Sequence, residues 1–126
     1  MPDFEADDLR ITESSSAPGL IRLDWMGKSN ARDPQKLLSP FFERVLNRAV
    51  LESRLVELHF EKLEYFNSST MAALIQLINA AQEKKIRLDL VYDQKLRWQT
   101  LSFDALKRAI RPFESGQGTP VSIKSV

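Results

Sequence analysis

The chain has 126 residues, 43% of them hydrophobic and 28% charged, with 18 basic and 17 acidic side chains and a formal net charge of +1. That length suits one domain with a core large enough to need no covalent staples, and the composition excludes wholesale disorder. The balanced charge argues against a nucleic-acid scaffold or a membrane-surface binder held by charge, and the lack of cysteine removes disulfides and thiolate metal sites.

Residues 1–8 are acidic and lack an apolar run, so they read as a polar tail rather than a signal peptide, ahead of a domain over residues 9–126. Leu9 to Glu13 alternates like a strand, Ser14 to Gly19 is a turn-forming cluster, and Leu20 to Trp25 alternates again. Together they predict an opening β-hairpin. Gly27 to Arg32 reads as a loop. Asp33-Pro34 predicts a short turn, and Ser39-Pro40 predicts a helix to about Glu52, since proline at a first helical position loses no bond. Phe41, Phe42, Val45, Leu46, Ala49 and Val50 share one face of that helix.

Leu55 to Phe60 is the clearest strand, with Val56, Leu58 and Phe60 on one face and Glu57 and His59 on the other. Beyond the polar junction Asn67-Ser68-Ser69-Thr70, an almost unbroken aliphatic run from Met71 predicts a largely buried helix. It ends at Lys84-Lys85, whose charges suit a helix C-terminus. Ile86 to Val91 predicts a strand, Leu96 to Ile110 a helix, Pro112 and Glu114 to Gly118 a break, and Val121 to Val126 a last strand. The order ββαβαβαβ implies one α/β domain whose mixed sheet contains parallel pairs joined by right-handed crossovers. No window reaches the roughly 20 apolar residues of a membrane span. The cytoplasm is the expected compartment, and the Asn67-Ser68-Ser69 match to a glycosylation signal reads as chance.

Standard enzymatic signatures are mostly absent. The single histidine, His59, stands in mid-strand and reads as structural or surface-exposed. The four glycines form no phosphate-binding loop, and one histidine with scattered carboxylates makes a poor metal site, so no cofactor or metal is expected. The acid pairs Glu61/Glu64 and Asp7/Asp8 read as solvated surface rather than acid–base machinery. Aromatic residues do not interleave with basic ones, which gives no platform for RNA. Trp25 and Trp98 read first as core and second as partner contacts.

The junction itself supports two readings. In one, Asn67 or Ser68 caps the helix while Ser69 and Thr70 fill its first turn. In the other, Ser68 is an exposed hydroxyl at the positive end of a helix dipole. A phosphate there adds roughly −1.5 to −2 charges without melting the helix, and changes the surface a partner meets.

From about Arg54 to Leu106 the chain resembles the STAS domain of bacterial anti-sigma-factor antagonists. That family's hydrophobic strand, Asp-Ser-Ser/Thr-Gly turn and aliphatic helix correspond to Val56 to Phe60, then Phe66-Asn67-Ser68-Ser69-Thr70-Met71 and Ala72-Ala73-Leu74. Lys84-Lys85, Ile86 to Val91 and Arg97 to Leu101 correspond to the family's basic helix end, next strand and third-helix start. Gly27, after the second strand, also fits. Asn67 stands where the family carries aspartate, Thr70 where it carries glycine, and His59 at a position often held by aspartate or asparagine.

The resemblance implies a small, non-enzymatic partner-switching module. A serine kinase of the GHKL type would phosphorylate Ser68, with Ser69 the fallback, and release the partner. A PP2C-like phosphatase would restore binding. Asn67, Ser69, Thr70 and Met71 would lie in the docking surface, with Trp98 an added contact, and Asp24 to Ser29 and Asp93 to Arg97 would be flanking loops. Two alternatives remain: a constitutive STAS docking subunit of an ATPase or other complex, without phosphorylation, and a small-molecule or nucleotide binder or enzyme.

Overall fold

Alternation in the early sequence continues further than the turn residues suggest. In the computed structural model, described over residues 4–14, 17–110 and 121–126, the elements are β1 (Phe4–Ala6), β2 (Leu9–Ser14), β3 (Leu20–Ser29), α1 (Pro34–Glu52), β4 (Leu55–Phe66), α2 (Ser68–Glu83), β5 (Leu88–Tyr92), α3 (Arg97–Ala109) and β6 (Val121–Ser125). The expected break at Pro112 and Glu114 to Gly118, and part of the Ser14 to Gly19 turn, lie outside the described residues.

The six strands form one sheet in the order β1-β2-β3-β4-β5-β6. The β1–β2 and β2–β3 pairs are antiparallel, whereas β3–β4, β4–β5 and β5–β6 are parallel. Right-handed crossovers between parallel strands laid down in sequential order put every connecting helix on the same face. Burial reflects that arrangement. Val56, Leu58 and Phe60 are buried on the helix side, while Glu57, His59 and Glu61 on the opposite side stay partly exposed. Trp25 is fully buried in the core, 4.9 Å from Phe60 between ring centroids, so its partner-contact reading does not hold. Phe103 of α3 stacks flat on Tyr92 at 4.9 Å and meets Phe60 at 5.0 Å.

Four expectations need correction. The supposed polar tail contains β1, which turns back through Asp7 at φ 54° and pairs Phe4 with Ile11 and Ala6 with Leu9. The expected loop at Gly27 to Arg32 begins as strand, because β3 runs to Ser29. Gly27 adopts φ +87° there, and a Cβ at that position would run into the Asp8 carbonyl. The first helix starts at Pro34 instead of Pro40, capped by Asp33 Oδ1, which accepts from Lys36 N at 3.4 Å. Pro40 and Lys36 both lie on the solvent side, where the carbonyl that proline leaves unpaired is open to water. Finally, the buried stripe of α1 ends at Ala49, and Val50 is 51% exposed.

Away from the sheet's open face, Arg48 of α1 grips Glu13 of β2 with two hydrogen bonds, at 2.8 and 2.9 Å. Those bonds hold the Glu13 carboxyl below the usual glutamate range, against the opposing pull of desolvation.

Candidate docking site at the start of α2

Strand β4 is long because it carries extra residues. Asp24 pairs with His59 and Met26 with Lys62, so β4 advances one residue further than β3 over that interval, and the slip recurs between Gly27 and Lys28. On its other side β4 pairs with β5 only from Val56 to His59. The carbonyls beyond would lack a partner, and α3 supplies one. The buried Gln99 donates from Nε2 to Phe60 O at 2.6 Å and to Leu63 O at 3.1 Å, and its Oε1 accepts from Asp93 N at 2.8 Å. Beyond the hydrophobic stripe of α3, sequence offered no sign of this glutamine's role.

β4 then delivers Asn67 in extended geometry (φ −90°, ψ 175°) as the N-cap of α2. Its Oδ1 accepts from Thr70 N at 2.9 Å and from Thr70 Oγ1 at 2.8 Å, while its Nδ2 donates to Ala31 O at 3.0 Å. Asn67 N donates to Ser29 O at 3.1 Å. Thr70 Oγ1 also lies 2.7 Å from Ser29 Oγ, with both residues buried. Having given its single proton to Asn67, the Thr70 hydroxyl receives that of Ser29. The cap reading is therefore correct for Asn67. An aspartate could not make the bond to Ala31 O, because a carboxylate only accepts. That accounts physically for the departure from the STAS pattern at this position.

Around this anchored start, Ser68 and Ser69 occupy the first two helical positions and are both exposed. First-turn N–H groups have no intrahelical acceptor, so the hydroxyls stand beside the helix's positive end. Thr70 corrects the expected docking set: its side chain is fully buried and committed to Ser29 and Asn67, so it cannot contact a partner. Met71 is half-buried against the core. Trp98, the second residue of α3, packs edge-on against Phe66 at 5.5 Å and 82°, and so flanks the start of α2 while remaining partly accessible. Asp93 to Arg97 does connect β5 to α3, where Asp93 Oδ1 accepts from Lys95 N at 2.9 Å. Asp24 to Ser29 is strand and supplies no loop. Asn67, Ser68, Ser69, Met71 and Trp98 keep accessible surface toward the carboxyl ends of the parallel strands, where α/β sheets place their sites.

Other acid and base groups do not converge there. His59 lies between Glu57 and Glu61 on the open sheet face, its ring nitrogens each 2.9 Å from a carboxylate oxygen. A neutral imidazole can donate to only one of them at a time. Asp8 meets Asn30 at 3.5 Å in the β1–β2 turn region, and Glu64 is exposed on β4. Among the described residues no group of three or more histidine or carboxylate side chains is placed to hold a metal, and no helix is long and apolar enough to cross a membrane.

A mixed sheet with sequentially ordered parallel strands, helices on one face and a capped helix after the long central strand defines a STAS-like α/β domain. Comparison of structures agrees. The chain matches the crystal structure of an uncharacterized DUF3478-family protein with a SpoIIAA-like fold from Shewanella loihica PV-4, with a TM-score of 0.56 and 11% identity over 97% of this chain and 88% of that one. The SpoIIAA-like fold is the STAS-like fold, and the likeness extends to the fold alone. No family model and no curated protein sequence matches the chain.

Proposed function

We propose that this chain is a non-enzymatic, STAS-like protein-binding module whose partner docks over the start of α2 and is released by phosphorylation of Ser68. Ser69 is the fallback acceptor. Catalysis belongs to the partners: a GHKL-type serine kinase adds the phosphate and a PP2C-like phosphatase removes it. The observation that carries this reading is the pairing of an exposed Ser68 hydroxyl with a helix start locked in place by Asn67, Thr70 and Ser29. A phosphate on Ser68 would sit at the favourable end of the dipole, so the domain would stay folded while its docking surface gained negative charge. The site then signals through who binds.

Capture of the partner by wild-type, Ser68→Ala and Ser68→Asp chains tests the proposal. Wild type and Ser68→Ala should hold the partner, and Ser68→Asp should lose it. Equal retention by Ser68→Asp and wild type would sink the switch.

One observation favours a second reading, a constitutive docking subunit of an ATPase or other complex. Both the oxygen and the nitrogen of the Asn67 amide anchor the helix start, so the chain keeps a cap where the STAS pattern keeps a charge. In that case the intact complex would contain Ser68 unmodified under all growth conditions.

A further inference from the structure

We propose a second site at the opposite end of the sheet: a cleft that binds a phosphate-bearing ligand with an apolar portion. The cleft, of about 440 Å³, opens where the chain enters β4 and β5, and Arg54, Lys84, Lys85 and Arg87 line it together with Val50 and Ile86. Lys84, Lys85 and Arg87 have no ion-pair partner among the described residues. Arg54 shares its charge with Glu52 at 2.9 Å, and Glu83 precedes Lys84 in the sequence. Even so, the local surplus of cations exceeds the +1 of the whole chain.

Helix-dipole stabilisation accounts for Lys84 and Lys85 at the end of α2. The same effect covers Arg54, one position beyond the C-cap of α1, but not Arg87, which stands four residues past the end of α2 at the entry to β5. Lys85 adopts φ +58°, a left-handed conformation that glycine holds with less strain. The chain keeps a lysine there. Next to these charges Val50 is 51% and Leu51 83% exposed at the end of α1, which leaves apolar surface beside the cations. The backbone at this end presents the carbonyl termini of α1 and α2, which repel anions, so the side chains must provide the attraction. Phosphate suits that combination because ammonium and guanidinium groups grip its oxygens while its ester carries the apolar part. Helix α2 runs from Ser68 to Lys84 at the cleft, roughly 24 Å at the usual rise per residue, so a ligand held by these side chains does not touch Ser68.

Two sources present that chemistry, a soluble phosphate ester or a phospholipid headgroup, and two arms separate them. In one, ATP and inorganic pyrophosphate are titrated calorimetrically. In the other, the protein is sedimented with phosphatidylcholine vesicles with and without phosphatidylglycerol. Binding in either arm should fall by about tenfold or more in Lys85→Glu/Arg87→Glu, a change of about 1.4 kcal/mol or more. Lys85→Gly, which relieves the backbone, should fold at least as well as wild type and still bind more weakly. Loss on Leu51→Ser confined to the vesicle arm would mark the headgroup as the source. Ser68→Ala should leave both arms unchanged. Absence of binding in both arms, or binding unaltered by the double charge reversal, would overturn the proposal.

Discussion

The hydroxyls of Thr70 and Ser29, 41 positions apart in sequence, meet at 2.7 Å in the core, and that bond ties the first turn of α2 to the last residue of β3. With Asn67 bridging to Ala31, it fixes the helix start that presents Ser68. A short polar network buried among aliphatic side chains is costly when broken, since each orphaned group has lost water as well as its partner.

Thr70→Val keeps the shape and removes the hydroxyl. It should destabilise the domain by about 1–3 kcal/mol in urea unfolding, because Ser29 Oγ is left without its partner. Thr70→Ser should recover most of that loss. A valine variant as stable as wild type would show that the network contributes nothing.

Asn67→Ala removes the cap and should cost about 1–2 kcal/mol. Asn67→Asp should fall between the two: it keeps the acceptor and gains from the helix dipole but loses the donor to Ala31. Denaturation midpoints should therefore rank Asn above Asp above Ala.

Gly27→Ala should lower stability by about 1–3 kcal/mol, measurable as a drop in Tm. Its positive φ and the nearby Asp8 carbonyl leave no room for a Cβ. Gly19, at φ +75° with open space around it, should tolerate the same change with only the backbone strain.

The Glu13–Arg48 pair sets a pH dependence. Arg48 lowers the Glu13 pKa in the folded state, so the carboxylate's contribution is complete above its unfolded value near 4.5 and is lost as pH falls through the depressed folded value. The stability difference between wild type and Glu13→Gln should be largest at neutral pH and shrink through that acid range. A difference independent of pH would contradict the assignment.

Sequence revealed the regular parts because their periodicity is local. β4, the three helices and the parallel order follow from alternation, the 3.6-residue stripe and crossover length. It missed what depends on distant partners. The tail gave no strand signal, since three residues adopt strand geometry only by pairing with β2. Asp33 competed with Ser39 for the helix start, and a solvent-facing Pro40 let the earlier cap win. Thr70 was expected in the docking surface from the STAS resemblance, and only the β3 register brings Ser29 over it. The exposed position of Ser68 at a helix start was legible because helix-start chemistry is local.

The most direct test is intact-mass and fragment analysis of the chain isolated from its source cells, taken separately from partner-bound and free pools. The account predicts a single phosphate on Ser68, or on Ser69 as the fallback, in the free pool and an unmodified chain in the partner-bound pool. An unmodified Ser68 and Ser69 in both pools, or a phosphorylated chain still bound to its partner, would contradict it.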